Sequence, residues 1–404
     1  MNLKLSAYDE NMLSGRQGKA RQLAMETMVK VAKAFNVEEF TDIVSVQTIS
    51  QFGELHVSGS GWVERLTCMG GKCCVPTTQD PASIPFSVYK EMGYDETIAE
   101  NQLRLQDMII ELGQLPTWSC TPYYQGNTPR FGQNVAWAES SSVSYANSVL
   151  GARTNRTPAG IDLCAALTGR IPKYGLYLTE SRRAQIKVVL EAGELSDLDY
   201  NTLGIILGKV CGEKIPCIYG MPPTASNDNL KQLGAAAASS GSVALFHAIG
   251  VTPEAMLSDP FDIHKPEDEI LVTRKMLEET QQSLSTKNPG DVDLVVVGCP
   301  HSSSSEVIEI HKLMSGEKVK KGKQFWIYTT LETESLMERM GIVDQLKEAG
   351  VLILSQNCLM VGQLVGSYGT LMTNSGKFAS YIPSEFAVEL VYGSTEDCVR
   401  AVIQ

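Results

Sequence analysis

An α/β fold with parallel sheets flanked by helices is what this 404-residue sequence predicts. Three observations carry the prediction. Val292–Gly298 (VDLVVVG), Phe325–Thr330 (FWIYTT) and Val351–Ser355 (VLILS) are short apolar runs rich in β-branched and aromatic residues, the pattern of buried strands. Helical periodicity at about 303–315 and about 333–349 separates them. The β-α-β-α-β alternation implies parallel strands joined by right-handed crossovers. At about 100–200 residues per domain, the chain divides into an N-terminal α/β lobe over 1–160, a middle α/β lobe over 161–285 and a C-terminal lobe over 286–404.

The elements follow in order. Ala20, Leu23, Ala24, Met28, Val31 and Phe35 recur at helical spacing, which predicts an amphipathic helix over about 14–36. Residues 41–78 carry Gly53, Gly59, Gly61, Gly70 and Gly71 and read as short strands and tight loops. A helix is expected at about 95–113. Residues 115–160 have little regular pattern and are rich in Pro, Gly, Asn, Ser and Thr. An irregular stretch of that length in a compact domain is usually functional. Helices are expected at about 179–193 and 196–212, then a strand at Ile215–Tyr219, a small-residue helix around LGAAAASSG and a strand at Val243–Ile249. Thr252-Pro253-Glu254 has the hydroxyl, proline and acid of a helix start.

Composition excludes several functions. Apolar residues make up 43% and charged residues 20%, so wholesale disorder is ruled out. The net charge of −12, with no basic run, argues against a nucleic-acid surface. No apolar stretch is long enough for a transmembrane helix or a signal peptide, so no membrane association and a cytoplasmic location are expected. In a reducing compartment the ten cysteines form no disulfide framework. Gly59-Ser60-Gly61 lacks the third glycine of a dinucleotide fingerprint, because position 64 is Glu, and no helix start is evident after it. There is no phosphate loop, no nucleophile elbow and no CxxC.

Cysteines sort by context. Cys164, Cys211, Cys217 and Cys398 sit in apolar runs and read as core. Cys68, Cys73 and Cys74 match no cluster spacing and read as small residues of a glycine-rich loop. Cys120, Cys299 and Cys358 are each flanked by polar residues and turn formers. Cys299 follows the first strand of the C-terminal alternation and Cys358 lies just past the third. Parallel sheets bind ligands at the carboxyl ends of their strands. Three such thiolates could hold an iron–sulfur cluster with one iron open; by pattern alone, three unrelated loop cysteines is the plainer reading. His301 is balanced between helix-entry packing and an acid–base or substrate contact, and the serines after it cap a helix. Arg153 and Arg156, with Asn155 between them, suit a carboxylate or phosphate, or a surface ion pair. Asn374, Ser375 and Lys377 form a second polar cluster. His56, His247, His264 and His311 show no ligand spacing, and His247 reads as structural.

The strings CTPY-x-x-GN-x-P-x-FG-x-x-x-AWAESS-x-VS-x-ANSVLGARTNR, GCPH-x-S and TNSGKFASYIPS, in this order, resemble the aconitase X family, and the likeness runs through essentially the whole chain. The resemblance implies an aconitase-like multi-lobed assembly, comparable to the three cluster-bearing α/β domains of aconitase. It implies an iron–sulfur hydro-lyase large subunit acting on a small hydroxy acid. From the mesophilic composition cis-3-hydroxy-L-proline is the substrate expected, with mevalonate 5-phosphate as the alternative. It further implies that Cys120, Cys299 and Cys358 are the cluster ligands. Ser58, Asn147, Ser148, Arg153, Asn155, Arg156, Asn374 and Ser375 are expected to bind substrate, and His301, Glu139 and Lys377 to act in catalysis. Members need a swivel domain that this large-subunit pattern leaves no room for, so a separate small subunit is the expected partner. The competing expectations are a zinc hydrolase, or a cluster-free scaffold that binds a metabolite and a small partner.

Overall fold

The structure is a computed structural model that describes residues 3–52, 57–58, 60–288, 290, 292–358, 360–361 and 366–403. It divides into two compact units, Met1–Arg183 and Ala184–Gln404.

In the first unit the amphipathic helix runs Lys19–Ala34, shorter than expected, with a separate capped turn of helix at Ala7–Leu13 before it. Its Ala20, Ala24, Met25, Met28 and Ala32 are buried. They share a core with Leu163, Cys164, Ala165, Ala166 and Leu167 of the helix Ile161–Thr168. Small residues on both surfaces let two helices approach closely, so this contact is tight. Beside them lies a parallel three-stranded sheet, Thr77–Gln79, Val46–Thr48 and Ala136–Trp137. Residues 41–78 hold short strands as expected, but also a helix, Ser60–Cys68. That helix starts beside Gly61, where the sequence showed no helix start; Gly53, His56 and Gly59 lie outside the described residues. The strand before it belongs to an antiparallel hairpin, Gln51–Phe52 with Val57–Ser58, not to a β-α-β unit. A dinucleotide turn therefore has no frame here.

The irregular 115–160 stretch contains, besides the strand Ala136–Trp137 and a 3-10 turn at Pro122–Tyr124, an unexpected helix, Ser140–Ser148 (SSSVSYANS). Every one of its residues from Ser141 on is buried, so it has no polar face to display and no periodicity to read. Its stability comes from Glu139 at the N-cap and from packing of Tyr145 on Tyr123, whose rings stack with centroids 3.7 Å apart.

The second unit has two fully parallel sheets. One runs His247–Ala248, Pro216–Tyr219, Ile186–Glu191 and Asp268–Thr273. Here the expectation of a helix at 179–193 is overturned: Ile186–Glu191 is a strand of alternating burial, IKVVLE, with one 3-10 turn before it. The apolar spacing of so short a run fits either period, and pairing with two neighbours decided it. The strand Asp268–Thr273 and the helix Arg274–Leu284 are absent from the sequence expectations because both are largely solvent-facing. The helices Asp197–Cys211 and Asn227–Ser240 pack closely: a Cβ at Gly204 would lie 2.4 Å from the Leu233 carbonyl oxygen.

The other sheet is ordered Val351–Ser355, Gln324–Thr329, Leu294–Ser302, Thr370–Thr373, Glu389–Tyr392, all parallel. The three strands read from the sequence step outward in one direction from Leu294–Ser302, and the last two step outward in the other. The order therefore reverses at Leu294–Ser302, which makes the crevice beside its carboxyl end a topological switch point, the usual ligand position in such sheets. The expected helix at 333–349 is broken into Leu331–Arg339 and Ile342–Glu348 by Gly341, whose φ of +71° is left-handed.

Candidate active site

The central strand runs beyond its expected end. Leu294–Ser302 is buried throughout, so Cys299 and His301 lie within the strand and not in a loop after it. The ladder to Gln324–Thr329 shifts register between Val297 and Ser302. Gly298, at φ +97°, makes the shift feasible: a Cβ there would sit 2.0 Å from the Tyr328 carbonyl oxygen. The Cys299–Pro300 peptide is cis.

Two neighbouring segments grip this strand end. Ser375 caps the helix Gly376–Glu385, accepting from Phe378 N at 3.1 Å, and its hydroxyl donates to the Cys299 carbonyl. The TNSGK run is thus held against Cys299 at the switch point. Asn374 donates to Thr395 Oγ1 at 3.0 Å, and Lys377 is 8% exposed at the start of the helix. On the other side, His301 Nε2 lies 2.9 Å from the Asn357 carbonyl oxygen, next to Cys358. A carbonyl only accepts, so Nε2 carries the proton. Burial, reinforced by the nearby Lys231 and Lys377 charges, pulls the imidazole down to about 4, against the Asn357 bond, so it is neutral near pH 7.

Beneath His301 lies a charged cluster that the sequence did not disclose. Lys231, on the helix Asn227–Ser240, is 1% exposed. It pairs with Asp228 at 3.0 Å and with Glu306, and donates to the His301 carbonyl at 3.4 Å. Burial opposes its charge, but Glu306 and Asp228 outweigh burial and raise its pKa. Glu306 also closes the capping box of Ser304–Met314 through Ser303 N at 2.8 Å, and Ser303 Oγ donates to Asp228 at 2.7 Å. A buried lysine in an alanine-rich helix leaves no periodic trace, so nothing in the sequence pointed to it.

In the first unit, Cys120 and Glu139 both lie at the carboxyl end of the parallel sheet. The cysteine loop is pinned on either side: Ser119 N donates to Gln79 O at 2.9 Å, and Thr121 N to Ser119 Oγ at 3.0 Å. Ser142 Oγ donates to the Cys120 carbonyl at 2.7 Å, which ties that loop to the helix capped by Glu139. Glu139 Oε1 accepts from Ser141 N at 3.3 Å and from Ser140 Oγ at 3.1 Å.

The expected substrate residues of this unit take different positions. Asn147 bonds Thr154 through both ends of its amide and accepts from the buried Arg182 at 2.9 Å. Asn155 spans Tyr174 O at 3.0 Å and Leu176 N at 2.8 Å. Arg153 donates to Tyr177 O at 3.0 Å and pairs with Asn134, at the amino end of the strand Ala136–Trp137. Ser148 is buried. Arg156 alone of the run is exposed, beside Thr157, whose N–H bonds the Trp137 carbonyl near Glu139. Ser58 ends the strand Val57–Ser58, and its side chain lies outside what the structure describes.

The four apolar-context cysteines are buried as expected, and Cys68 and Cys74 are exposed. None of the ten cysteines is in a disulfide. Among the described residues no group of three or more His, Cys, Asp or Glu side chains is gathered to hold a metal ion, and no helix is long and apolar enough to cross a membrane.

A doubly wound parallel sheet with a cysteine, a neutral histidine and a lysine at its switch point defines an α/β enzyme of the ligand-in-crevice class. Family models match along the chain: "Aconitase X first domain" over residues 2–180, the second domain over 184–282 and the third over 292–404. The chain belongs to the aconitase X family. It is 37% identical to the phosphomevalonate dehydratase large subunit of Methanothermobacter thermautotrophicus, over 98% of each chain. It is 32% identical to the cis-3-hydroxy-L-proline dehydratase of Pseudomonas aeruginosa, covering 99% of this chain and 70% of that one. The crystal structure of Thermococcus kodakaraensis aconitase X in its holo-form superposes with a TM-score of 0.88 at 32% identity, covering 99% of this chain and all of that one. The chain is therefore a hydro-lyase by family, as the sequence resemblance implied.

Proposed function

We propose that this chain is the large subunit of an iron–sulfur dehydratase, with Cys120, Cys299 and Cys358 as the three thiolate ligands. The observation that carries the reading is the seating of Cys299 at the switch point, fastened to the TNSGK helix through Ser375 and to the Cys358 segment through His301. The donor chemistry suits such a group: three cysteines outside any disulfide. When bound, the cluster supplies a Lewis-acidic iron that polarises the departing hydroxyl. Arg156 offers an exposed guanidinium for the substrate's carboxylate or phosphate. Glu139 takes the proton from the adjacent carbon or returns one to the hydroxyl. Lys377 fixes an anionic end at the helix start, and His301, neutral, holds the strand end and the Cys358 segment in register.

The relative at 37% identity favours mevalonate 5-phosphate as substrate. The relative at 32% identity supports cis-3-hydroxy-L-proline as the second reading. The phrase "large subunit" in the first relative's name supports a small partner subunit for this chain. The test is anaerobic purification with iron and sulfide analysis, then assay of the reconstituted pair on both compounds. Cys299→Ser, Cys358→Ser and Cys120→Ser should each lose the visible absorbance. A colourless, iron-free protein after reconstitution, or three variants as brown as the parent, refutes the reading.

A further inference from the structure

We propose that the Asn357 carboxamide is a substrate-contacting group that receives the hydroxyl leaving the substrate. The inference rests on the dehydratase reading above. Asn357 is 0% exposed, and both its Oδ1 and its Nδ2 are buried without a hydrogen-bond partner among the described residues. Exchanging the two amide atoms does not help, because neither end has a partner. A buried amide with neither function met is costly, and native chains keep such groups where something outside the chain completes them.

Three features show that the position is built. Gln356, just before it, holds a left-handed φ of +71°, a conformation a non-glycine residue adopts at a cost. Its N–H is spent on Thr329 O, so the turn out of the strand Val351–Ser355 is fastened. The Asn357 carbonyl is taken by His301 Nε2 at 2.9 Å, which fixes the residue's backbone against the central strand. The side chain lies one residue before the proposed ligand Cys358.

The missing partner must both donate and accept. Thiolate, sulfide, carboxylate and phosphate oxygens accept only, so any of them leaves Oδ1 unmet. An alcohol satisfies both ends: Nδ2–H donates to its oxygen and its O–H donates to Oδ1. In a dehydration the C–O bond breaks while the adjacent C–H electron pair forms the C=C bond, and the proton lost from that carbon joins the departing hydroxyl as water; water has the same two functions, so one amide serves the bound hydroxyl and the released water.

The test uses Asn357→Leu and Asn357→Asp in the full chain with its small subunit. Leu keeps the branched skeleton of Asn and has no polar atoms, although its two methyl groups are bulkier than the amide atoms. The metal-free Leu variant should melt within about 4 °C of the parent, because removal of an unmet amide offsets the added bulk. Its reconstituted iron content and visible spectrum should match the parent's. Its kcat/KM on whichever hydroxy acid the parent dehydrates should fall about 10- to 100-fold. The Asp variant, which keeps the acceptor and loses the donor, should fall comparably. A Leu variant that turns over within twofold of the parent, or whose spectrum shifts with kcat/KM unchanged, overturns the inference. A parent that dehydrates neither compound fails the dehydratase reading instead.

Discussion

Replacing Lys231 with Met tests whether the buried charge cluster holds the carboxyl end of the central strand. Met keeps most of the side-chain length and removes the ammonium. Asp228 and Glu306 then share the site without their cation, and the His301 carbonyl loses a donor. Breaking a buried pair by deleting one partner costs about 3–5 kcal/mol. The carboxylate side chains keep 22% and 23% exposure, so water softens the loss, and the lower end, about 3 kcal/mol, applies. For a unit of this size that is a fall of roughly 6–12 °C in Tm. The pH dependence is distinctive. In the parent the Lys231 pKa is raised, so its contribution is complete below the ordinary lysine value and is lost only as pH rises through the folded one. In the Met variant the stranded carboxylates are relieved by protonation, so the deficit should shrink between pH 7 and pH 4. Urea denaturation of both proteins across that range measures it. A deficit below about 1 kcal/mol, or one equal at both ends of the range, would refute the argument.

Three further outcomes follow from the first unit and the paired helices. Burial lifts the Asp162 carboxyl to about 7, against bonds from Ile49, Leu163 and Gly160 N–H. Its contribution is therefore present below the ordinary aspartate range and lost as pH rises through about 7, and Asp162→Asn should remove that slope from the stability profile; a parent-minus-variant difference flat from pH 4 to 8 would contradict this. Arg182→Met strips donors from Asn147 Oδ1, Asn147 O, Ala152 O and Leu176 O, and should cost about 3 kcal/mol by urea titration, with no loss counting against the burial argument. Gly204→Ala forces a Cβ to 2.4 Å from a backbone oxygen, so it should lower Tm despite a gain of roughly 1 kcal/mol in helix propensity; an unchanged or higher Tm would show that the helices can separate.

Much of this was legible in the residues, and the reasons differ. Continuous apolar runs at 292–298, 325–330 and 351–355 announce parallel strands because both faces of such a strand are buried, so no pairing information is needed to see them. The string around Cys120 and Arg156 and the GCPH and TNSGK strings carried the family without any coordinates, because they specify residue identity and not merely hydropathy. The strand Ile186–Glu191 was misread because its short alternation fits two periods, and only pairing on both sides selects one. The helix Ser140–Ser148 was invisible because a helix buried on every face has no amphipathic signature. Tertiary structure alone divided the GARTNR run, committing Asn155 and Arg153 to internal carbonyls and leaving Arg156 outward. It alone set Lys231 beneath His301 and left the Asn357 amide unmet. Such relations join positions dozens of residues apart; hydrogen-bond satisfaction and charge pairing belong to the packed arrangement, and a linear pattern contains no record of who faces whom.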